Sequence, residues 1–169
     1  MKTFSYILFV SLVLFSSFNC KKDDLPKPTQ TGANIMAAKV NGKTWEKKAC
    51  WSCTGGGDGL IVDYDDSDFF AVTGENPDQE LQIGLAIKSL KSTGTYQLTS
   101  KNLNFARLFK SNEGKYYYTS INNTGIVTIT KLDLTKKIIS GTFELTAEDE
   151  NNPTNTIRVT GGRFDVTFF

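Results

Sequence analysis

The sequence predicts an all-β fold, and we favour an antiparallel β-sandwich of about ten short strands over a closed β-barrel. Residues 80–88 alternate apolar and polar side chains with a period of two, which is the pattern of a half-buried strand. Asn41-Gly42 separates two short extended runs, and this dipeptide is typical of a tight hairpin because both turn residues accept a positive φ. No segment after residue 34 has a convincing helical period.

The same reasoning, applied in chain order, divides the rest of the chain into short strands joined by polar or glycine-rich turns. A glycine-rich loop occupies 54–59, and a further turn occupies 122–125. The predicted strands are 36–40, 43–45, 60–64, 69–73, 80–88, 94–98, 105–109, 116–118, 126–132, 138–147 and a C-terminal segment within 157–168.

The C-terminal segment contains a break in its alternation. Ile157 and Val159 share one parity, whereas Phe164 and Val166 share the other, and Gly161-Gly162 lies between the two pairs. A β-bulge adds one residue to a strand, and glycine tolerates the backbone conformation that a bulge needs. We therefore expect a bulge at these glycines that returns the apolar side chains to one face.

Residues 1–19 predict a secretory signal peptide. Lys2 precedes an apolar run over 4–18, and Cys20 follows shortly after it. A secretory signal combines a basic start, an apolar stretch of about 7–15 residues and a cleavage zone, whereas a membrane-spanning helix needs about 20 apolar residues. An uncleaved membrane anchor and an ordinary signal with a free Cys20 are the weaker alternatives.

The order of signal, cysteine and charged run resembles bacterial lipoproteins, in which the cysteine receives a diacylglycerol group and becomes the mature N-terminus. Ser17-Phe18-Asn19, just before Cys20, departs from the usual lipobox. The run over 21–24 is similar to the signal that directs lipoproteins of the Bacteroidota to the cell surface. The resemblance implies lipidation of Cys20 and anchoring to the outer membrane through acyl chains. Display on the cell surface is favoured, with the periplasmic face as the alternative.

After the lipidated cysteine, residues 20–34 predict a disordered tether. The segment is polar, contains Pro26 and Pro28, and has no apolar period. Fully extended, such a tether could reach on the order of 45 Å. Residues 35–169 then form a single β domain.

Charge balance and the absence of histidine narrow the range of functions. Loss of residues 1–19 removes one charge, Lys2, and leaves 18 basic and 18 acidic residues, which argues against a nucleic acid partner. Without histidine the chain lacks the commonest general base and metal ligand. The glycines at 55–57 lack the companion residues of a phosphate-binding loop, which argues against a nucleotide. We therefore expect no catalytic residues and no cofactor, and an enzyme that uses carboxylates alone is the weakest hypothesis.

Two cysteines remain beside Cys20, at Cys50 and Cys53. In an oxidising compartment the pair predicts a small structural disulfide that holds a loop. Two free thiols and a redox-active pair are the alternatives. A zinc site would need further ligands of the same kind, which the sequence does not supply.

Five aspartates cluster between the third and fourth predicted strands or close to them. Calcium prefers several carboxylate and carbonyl oxygens on one loop, but the spacing lacks the glycine and the closing glutamate of an EF-hand. A solvated loop is favoured, with a calcium site as the alternative. The residues are Asp58, Asp63, Asp65, Asp66 and Asp68.

Aromatic residues supply the candidate ligand contacts. On a strand, Tyr116 and Tyr118 point to one side and Tyr117 to the other. Aromatic side chains are enriched at recognition sites, so Trp51, Tyr116 and Tyr118 are candidates for contact with a sugar or a protein. Ordinary strand packing is the alternative.

Several motifs together resemble an uncharacterised family of small β-rich lipoproteins of the Bacteroidota. The resemblance spans most of 35–168 and is weakest over 46–79. It implies the β domain and brings no established activity, so no catalytic residues are carried over. The motifs are Met36–Trp45, Gly94–Leu98, Thr124–Asp133, Ile139–Phe143 and Val159–Asp165.

The predicted function is that of a lipid-anchored protein of the cell envelope. We expect a non-catalytic binding or adhesion module for a glycan or a protein, because the chain combines an anchor with neutral charge and no catalytic groups. The alternative is a structural or assembly subunit of an outer-membrane complex.

Overall fold

The computed structural model describes residues 24–51, 57–100 and 103–169. Over these ranges the chain is all-β, with eleven strands, one short 3-10 turn at Pro77–Gln79 and no α-helix. The strands are β1 Ile35–Val40, β2 Lys43–Glu46, β3 Leu60–Tyr64, β4 Phe70–Asn76, β5 Leu81–Ile87, β6 Gly94–Leu98, β7 Phe105–Lys110, β8 Lys115–Tyr118, β9 Gly125–Asp133, β10 Ile138–Asp149 and β11 Asn152–Thr167.

All strand pairs are antiparallel and belong to one hydrogen-bonded sheet that folds over itself into two layers. The first layer has the order β6-β9-β10-β11-β1-β2, and the second has the order β8-β7-β5-β4-β3. The strand β10 joins them, because Ile138–Leu145 pair with β9 while Glu148 and Asp149 pair with β8. Within the described residues β2 and β3 end the path without pairing to each other, so the sheet is open. The predicted antiparallel sandwich is confirmed.

The core lies between the two layers and is built from large aromatic side chains. Phe164 on β11 contacts Phe70 on β4, with ring centroids 5.8 Å apart, and Phe143 on β10, at 6.4 Å. Trp45 is fully buried, and its indole N–H donates to the carbonyl of Leu81 across the core at 3.2 Å. Since a buried indole needs a hydrogen-bond acceptor, this bond fixes β2 against the second layer.

The predicted bulge on β11 is confirmed. Phe143 pairs with Gly162 whereas Leu145 pairs with Val159, so β11 holds one residue more than β10 at this point. Gly161 takes a φ of +59°, a conformation that glycine adopts without strain. As a result, Val159 and Phe164 both lie in the core although their parities differ.

The N-terminal segment differs from the disordered tether that its composition predicts. Residues 24–34, which we call the strap, lie across the outer face of the first layer. Leu25 is buried, and its side chain would lie 3.7 Å from a Cβ added at Gly161. The reason is the buried carboxylate described below, which binds the backbone of the strap. The predicted signal peptide and Cys20 lie outside the described residues, as does Cys53.

Among the residues that the structure describes, no helix has the length and apolar character needed to span a bilayer.

We predict that Gly162→Ala destabilises the domain by about 1–3 kcal/mol, because overpacking a filled core forces neighbouring side chains to move. A Cβ at this position would lie 2.5 Å from the ring of Phe143. Urea denaturation followed by circular dichroism measures the change. Gly57→Ala is the matched control, since a Cβ there meets no atom of the described residues within 4 Å. Equal unfolding midpoints for the two variants would contradict the packing described here.

Candidate functional site

The outer face of the second layer carries a row of aromatic rings, which we call the aromatic platform and which consists of Phe109, Tyr116 and Tyr118. Strand alternation places Tyr117 in the core, 2% exposed, and turns its two neighbours outward. Phe109 joins them because it lies directly opposite Tyr116 in the β7–β8 register. The sequence predicted the two tyrosines, and Phe109 was missed because only the register brings it to the same place.

The rings of the platform lie nearly parallel to one another. Phe109 and Tyr116 have centroids 4.6 Å apart and an interplanar angle of 28°, and Tyr116 and Tyr118 are 6.2 Å apart at 27°. The guanidinium carbon of Arg107 lies 5.9 Å from the centroid of the Tyr116 ring, within the range of a cation–π contact. These contacts hold the rings in a fixed row, with Tyr116 39% exposed at its centre.

A strip of small and polar residues, which we call the trough, continues from the platform across β5 and β4. Gly84 lies opposite Arg107, and Thr73 lies opposite Gly84 in the next pairing. Gly84 is buried, and a Cβ there would lie 3.0 Å from the hydroxyl oxygen of Thr73, so the Thr73 side chain lies against this glycine. Gln82, paired with Phe109, and Thr73 add an amide and a hydroxyl to the floor. The site therefore combines flat apolar surfaces with hydrogen-bonding groups on rigid strands.

Trp51 lies on a separate connection and is 80% exposed. It follows Cys50, whose backbone pairs with Gly57 through two hydrogen bonds of 3.0 and 3.2 Å. Cys50 is disulfide-bonded, but Cys53 lies outside the described residues, so the pairing of these two cysteines stays a prediction.

Cys50 and Gly57, on either side of the connection that carries Trp51, lie close to Thr73 and Gln82 of the trough. A cavity of about 110 Å³ lies between them, and Cys50, Gly57, Thr73 and Gln82 all contribute to its walls. The structure thus brings Tyr116 and Tyr118 together in one stacked row, whereas Trp51 follows Cys50, one of the residues that line this cavity.

The five aspartates do not converge. Asp65 accepts hydrogen bonds from the backbone of Ser67 and Phe69 and stabilises the β3–β4 turn. Asp58 pairs with Lys47 at 3.6 Å, and Asp68 pairs with Lys91 at 3.4 Å. In the described part of the chain, no group of three acidic, cysteine or histidine residues could hold a metal ion.

Among the residues that the structure describes, Asp165, on the outer face of β11, makes the most extensive polar contact. Its side chain is fully buried beneath the strap. The carboxylate accepts hydrogen bonds from the backbone N–H groups of Thr31, Gly32 and Ala33 at 2.9–3.0 Å. Two hydroxyls, from Thr29 and Ser140, donate to it at 2.7 Å each. One side chain on the last strand therefore fixes the turn that leads into the first.

The electrostatics of Asp165 follow from these donors. Burial alone would raise the pKa of its carboxyl group, but hydrogen bonds from the Ala33 N–H and the hydroxyls of Ser140 and Thr29 outweigh burial and lower the pKa from 3.8 to about 2. The group is therefore ionised at neutral pH. A buried carboxylate that is fully hydrogen-bonded stabilises the arrangement that supplies its donors.

Further bonds hold the strap along its length. The guanidinium of Arg163 donates to the carbonyl of Pro26 at 2.9 Å, and the ammonium of Lys131 donates to the carbonyl of Gln30 at 2.9 Å. Asn34 accepts from the backbone N–H of Thr167 at 2.9 Å. The sequence did not predict that Asp165 and these other residues bind the strap. The one signal was an aspartate on a strand between Phe164 and Val166, which are both core residues.

Residues 33–166 match the family model described as a domain of unknown function, DUF6252. The chain belongs to this family. The matched range takes in all of β1–β10, nearly all of β11, the aromatic platform and Asp165, while most of the strap precedes it. The DUF6252 description assigns no activity. The chain matches no curated protein and no solved structure.

We predict that Asp165→Asn destabilises the protein at pH 7 by about 2 kcal/mol, since a pKa lowered from 3.8 to about 2 represents that difference in interaction energy. Because the folded-state pKa lies below the unfolded value, the stabilisation is complete above pH ~4 and is lost as the pH falls toward 2. The midpoints of urea denaturation, measured at pH values between these limits, test this loss of stability.

Asp165→Asn should lose the pH dependence of stability that comes from this carboxyl group. In this variant the backbone amides of Thr31 and Gly32 should exchange their hydrogens faster. Asp63→Asn, the same change at an exposed position, is the control. Identical pH profiles for the wild type and Asp165→Asn would show that the carboxylate does not hold the strap.

Proposed function

We propose that this DUF6252 protein is a lipid-anchored lipoprotein of the outer membrane that binds glycans at the cell surface. In this proposal acyl chains on Cys20 hold the protein in the membrane, and the aromatic platform with its trough is the binding site. Trp51 contributes from the connection beside the trough. The single observation that carries the binding proposal is the stacked, outward-facing row of Phe109, Tyr116 and Tyr118.

The geometry of the platform favours a sugar as its ligand. Pyranose rings present flat faces of C–H groups, which pack on aromatic rings, and an equatorial belt of hydroxyls. Because the inner faces of the rings are stacked on one another at 4.6 and 6.2 Å, the row offers a sugar its ring edges and the outer ring faces at its ends. Thr73, Gln82 and Arg107 lie beside them, on strands β4, β5 and β7, where they can exchange hydrogen bonds with hydroxyls.

The proposal of a membrane anchor rests on the order of elements before the strap. The basic start, the apolar run, Cys20 and the charged residues at 21–24 are those of an exported lipoprotein. Two or more acyl chains give stable anchoring, because each buried methylene contributes about 0.8 kcal/mol. The folded domain then needs no apolar patch of its own for membrane attachment.

A second candidate function is that of an assembly subunit in an outer-membrane complex. It is favoured by β3, which within the described ranges pairs only with β4 and ends the second layer. Ile61, at the centre of β3, is 71% exposed. Unpaired strand edges are templates for the addition of another strand, so a partner protein could extend the sheet here.

We predict that Tyr116→Ala weakens glycan binding about tenfold, because loss of a central aromatic anchor typically costs 1–2 kcal/mol of binding free energy. A glycan array probed with residues 20–169 identifies the ligand, and calorimetry with that ligand gives the affinities. Tyr116→Phe should bind nearly as well as the wild type, since the stacking ring remains. Thr142→Ala, on the outer face of the first layer, is the control.

A blank array, or equal affinities for Tyr116→Ala and the wild type, would overturn the glycan proposal. If crosslinking in native membranes instead joins β3 to another protein, the assembly function takes its place.

We further predict that Cys20→Ala moves the protein from the membrane fraction to the soluble fraction, because removal of the thiol leaves no attachment point for acyl chains. Fractionation followed by immunoblotting measures the distribution, and mass spectrometry of the wild-type N-terminal peptide detects the lipid. Cys50→Ala tests whether loss of any cysteine has this effect. Retention of Cys20→Ala in the membrane would refute the anchor.

A further inference from the structure

We infer that the outer face of the first layer lies against the lipid headgroups and that the aromatic platform therefore points away from the membrane. This inference rests on the lipid anchor at Cys20 proposed above. It goes beyond that anchor because it assigns a membrane-facing surface and a fixed orientation to the folded domain.

The first step is that the strap is part of the folded domain. Its backbone is bound by Asp165, by Arg163 at Pro26 and by Lys131 at Gln30. Leu25 is 6% exposed and lies beside Gly161, at the bulge in the middle of β11. The domain therefore begins at Leu25 and not at Ile35.

The second step is the length of the remaining chain. Only residues 20–24 join the acylated sulfur to the buried Leu25. Fully extended, these residues span about 17 Å, at 3.3–3.6 Å per residue. The headgroup region of one leaflet occupies roughly 5–8 Å, given a bilayer of 40–45 Å with a hydrocarbon core of 30 Å. The chain that remains is too short to let the domain rotate freely above the surface.

The third step is the place where the chain leaves the domain. Leu25 lies over Gly161, on the outer face of β11, rather than at an end or an edge of the sandwich. A short connection from the centre of a face holds that face toward the anchor. Because the two layers pack about 10 Å apart, the outer face of the second layer, with the aromatic platform, is turned to the opposite side.

The outer face of the first layer carries polar groups that can meet lipid headgroups. A groove of about 350 Å³ runs beside the strap, and Thr128, Thr142, Glu144 and Arg163 line it together with the apolar Pro28, Ile126 and Phe143. Hydroxyl and guanidinium groups bind phosphate oxygens. The face can therefore contact phospholipid headgroups without inserting into the hydrocarbon.

The test uses the full-length lipidated protein, purified from membranes and reconstituted into vesicles of phosphatidylethanolamine and phosphatidylglycerol that contain a lipid with a nitroxide headgroup. A fluorophore is attached at Thr142→Cys on the first layer or at Asp63→Cys on the second; both positions are exposed. Nitroxides quench fluorescence at short range. We expect quenching at position 142 to be several-fold stronger than at position 63.

Equal quenching at the two positions, or stronger quenching at 63, overturns the orientation. Failure of the labelled protein to bind vesicles at all overturns the anchor and the orientation together, and glycan binding is measured separately on the soluble domain. A flexible insertion of about twelve Gly and Ser residues between Asp24 and Leu25 lengthens the connection while the strap stays docked. In this variant, quenching at position 142 should exceed quenching at position 63 by much less.

Discussion

The arrangement of the N-terminal strap depends on one buried negative charge. Burial of a carboxylate is unfavourable unless several donors replace the lost water, and Asp165 meets this requirement with three backbone amides and two hydroxyls. All but the Ser140 hydroxyl come from the strap. The charge therefore orders a polar segment that has almost no apolar side chains of its own, and the bound segment in turn determines where the chain leaves the domain.

Much of the fold follows from short-range patterns. The hairpin at Asn41-Gly42, the strand Gly94–Leu98 and the bulge at Gly161-Gly162 were all predictable, because each depends on the alternation or backbone freedom of a few neighbouring residues. The strap was not predictable in this way. Its order comes from a partner more than 130 positions away in sequence, and its own composition is that of a disordered chain.

The candidate site, like the fold, could be predicted from the sequence only in part. Tyr116 and Tyr118 could be assigned to one side of a strand from their spacing alone, and Tyr117 to the core. Phe109, Gly84 and Thr73 could not be added, because which strands are neighbours and in which register they pair is a tertiary property. The five aspartates of the acidic cluster gave the opposite result. Its members are close in sequence, but Asp58, Asp65 and Asp68 bond to different partners, so proximity along the chain gave no common site.

The topology also bears on when the protein can fold. β1 pairs with β2 and with β11, and β10 needs β11 along its whole length. The first layer is therefore incomplete until β11 has been synthesised, since late, non-local pairing must precede stable packing. A chain of this architecture cannot complete its fold until late in its synthesis. That delay is compatible with the export proposed above, because an unfolded chain can be threaded through a translocation channel.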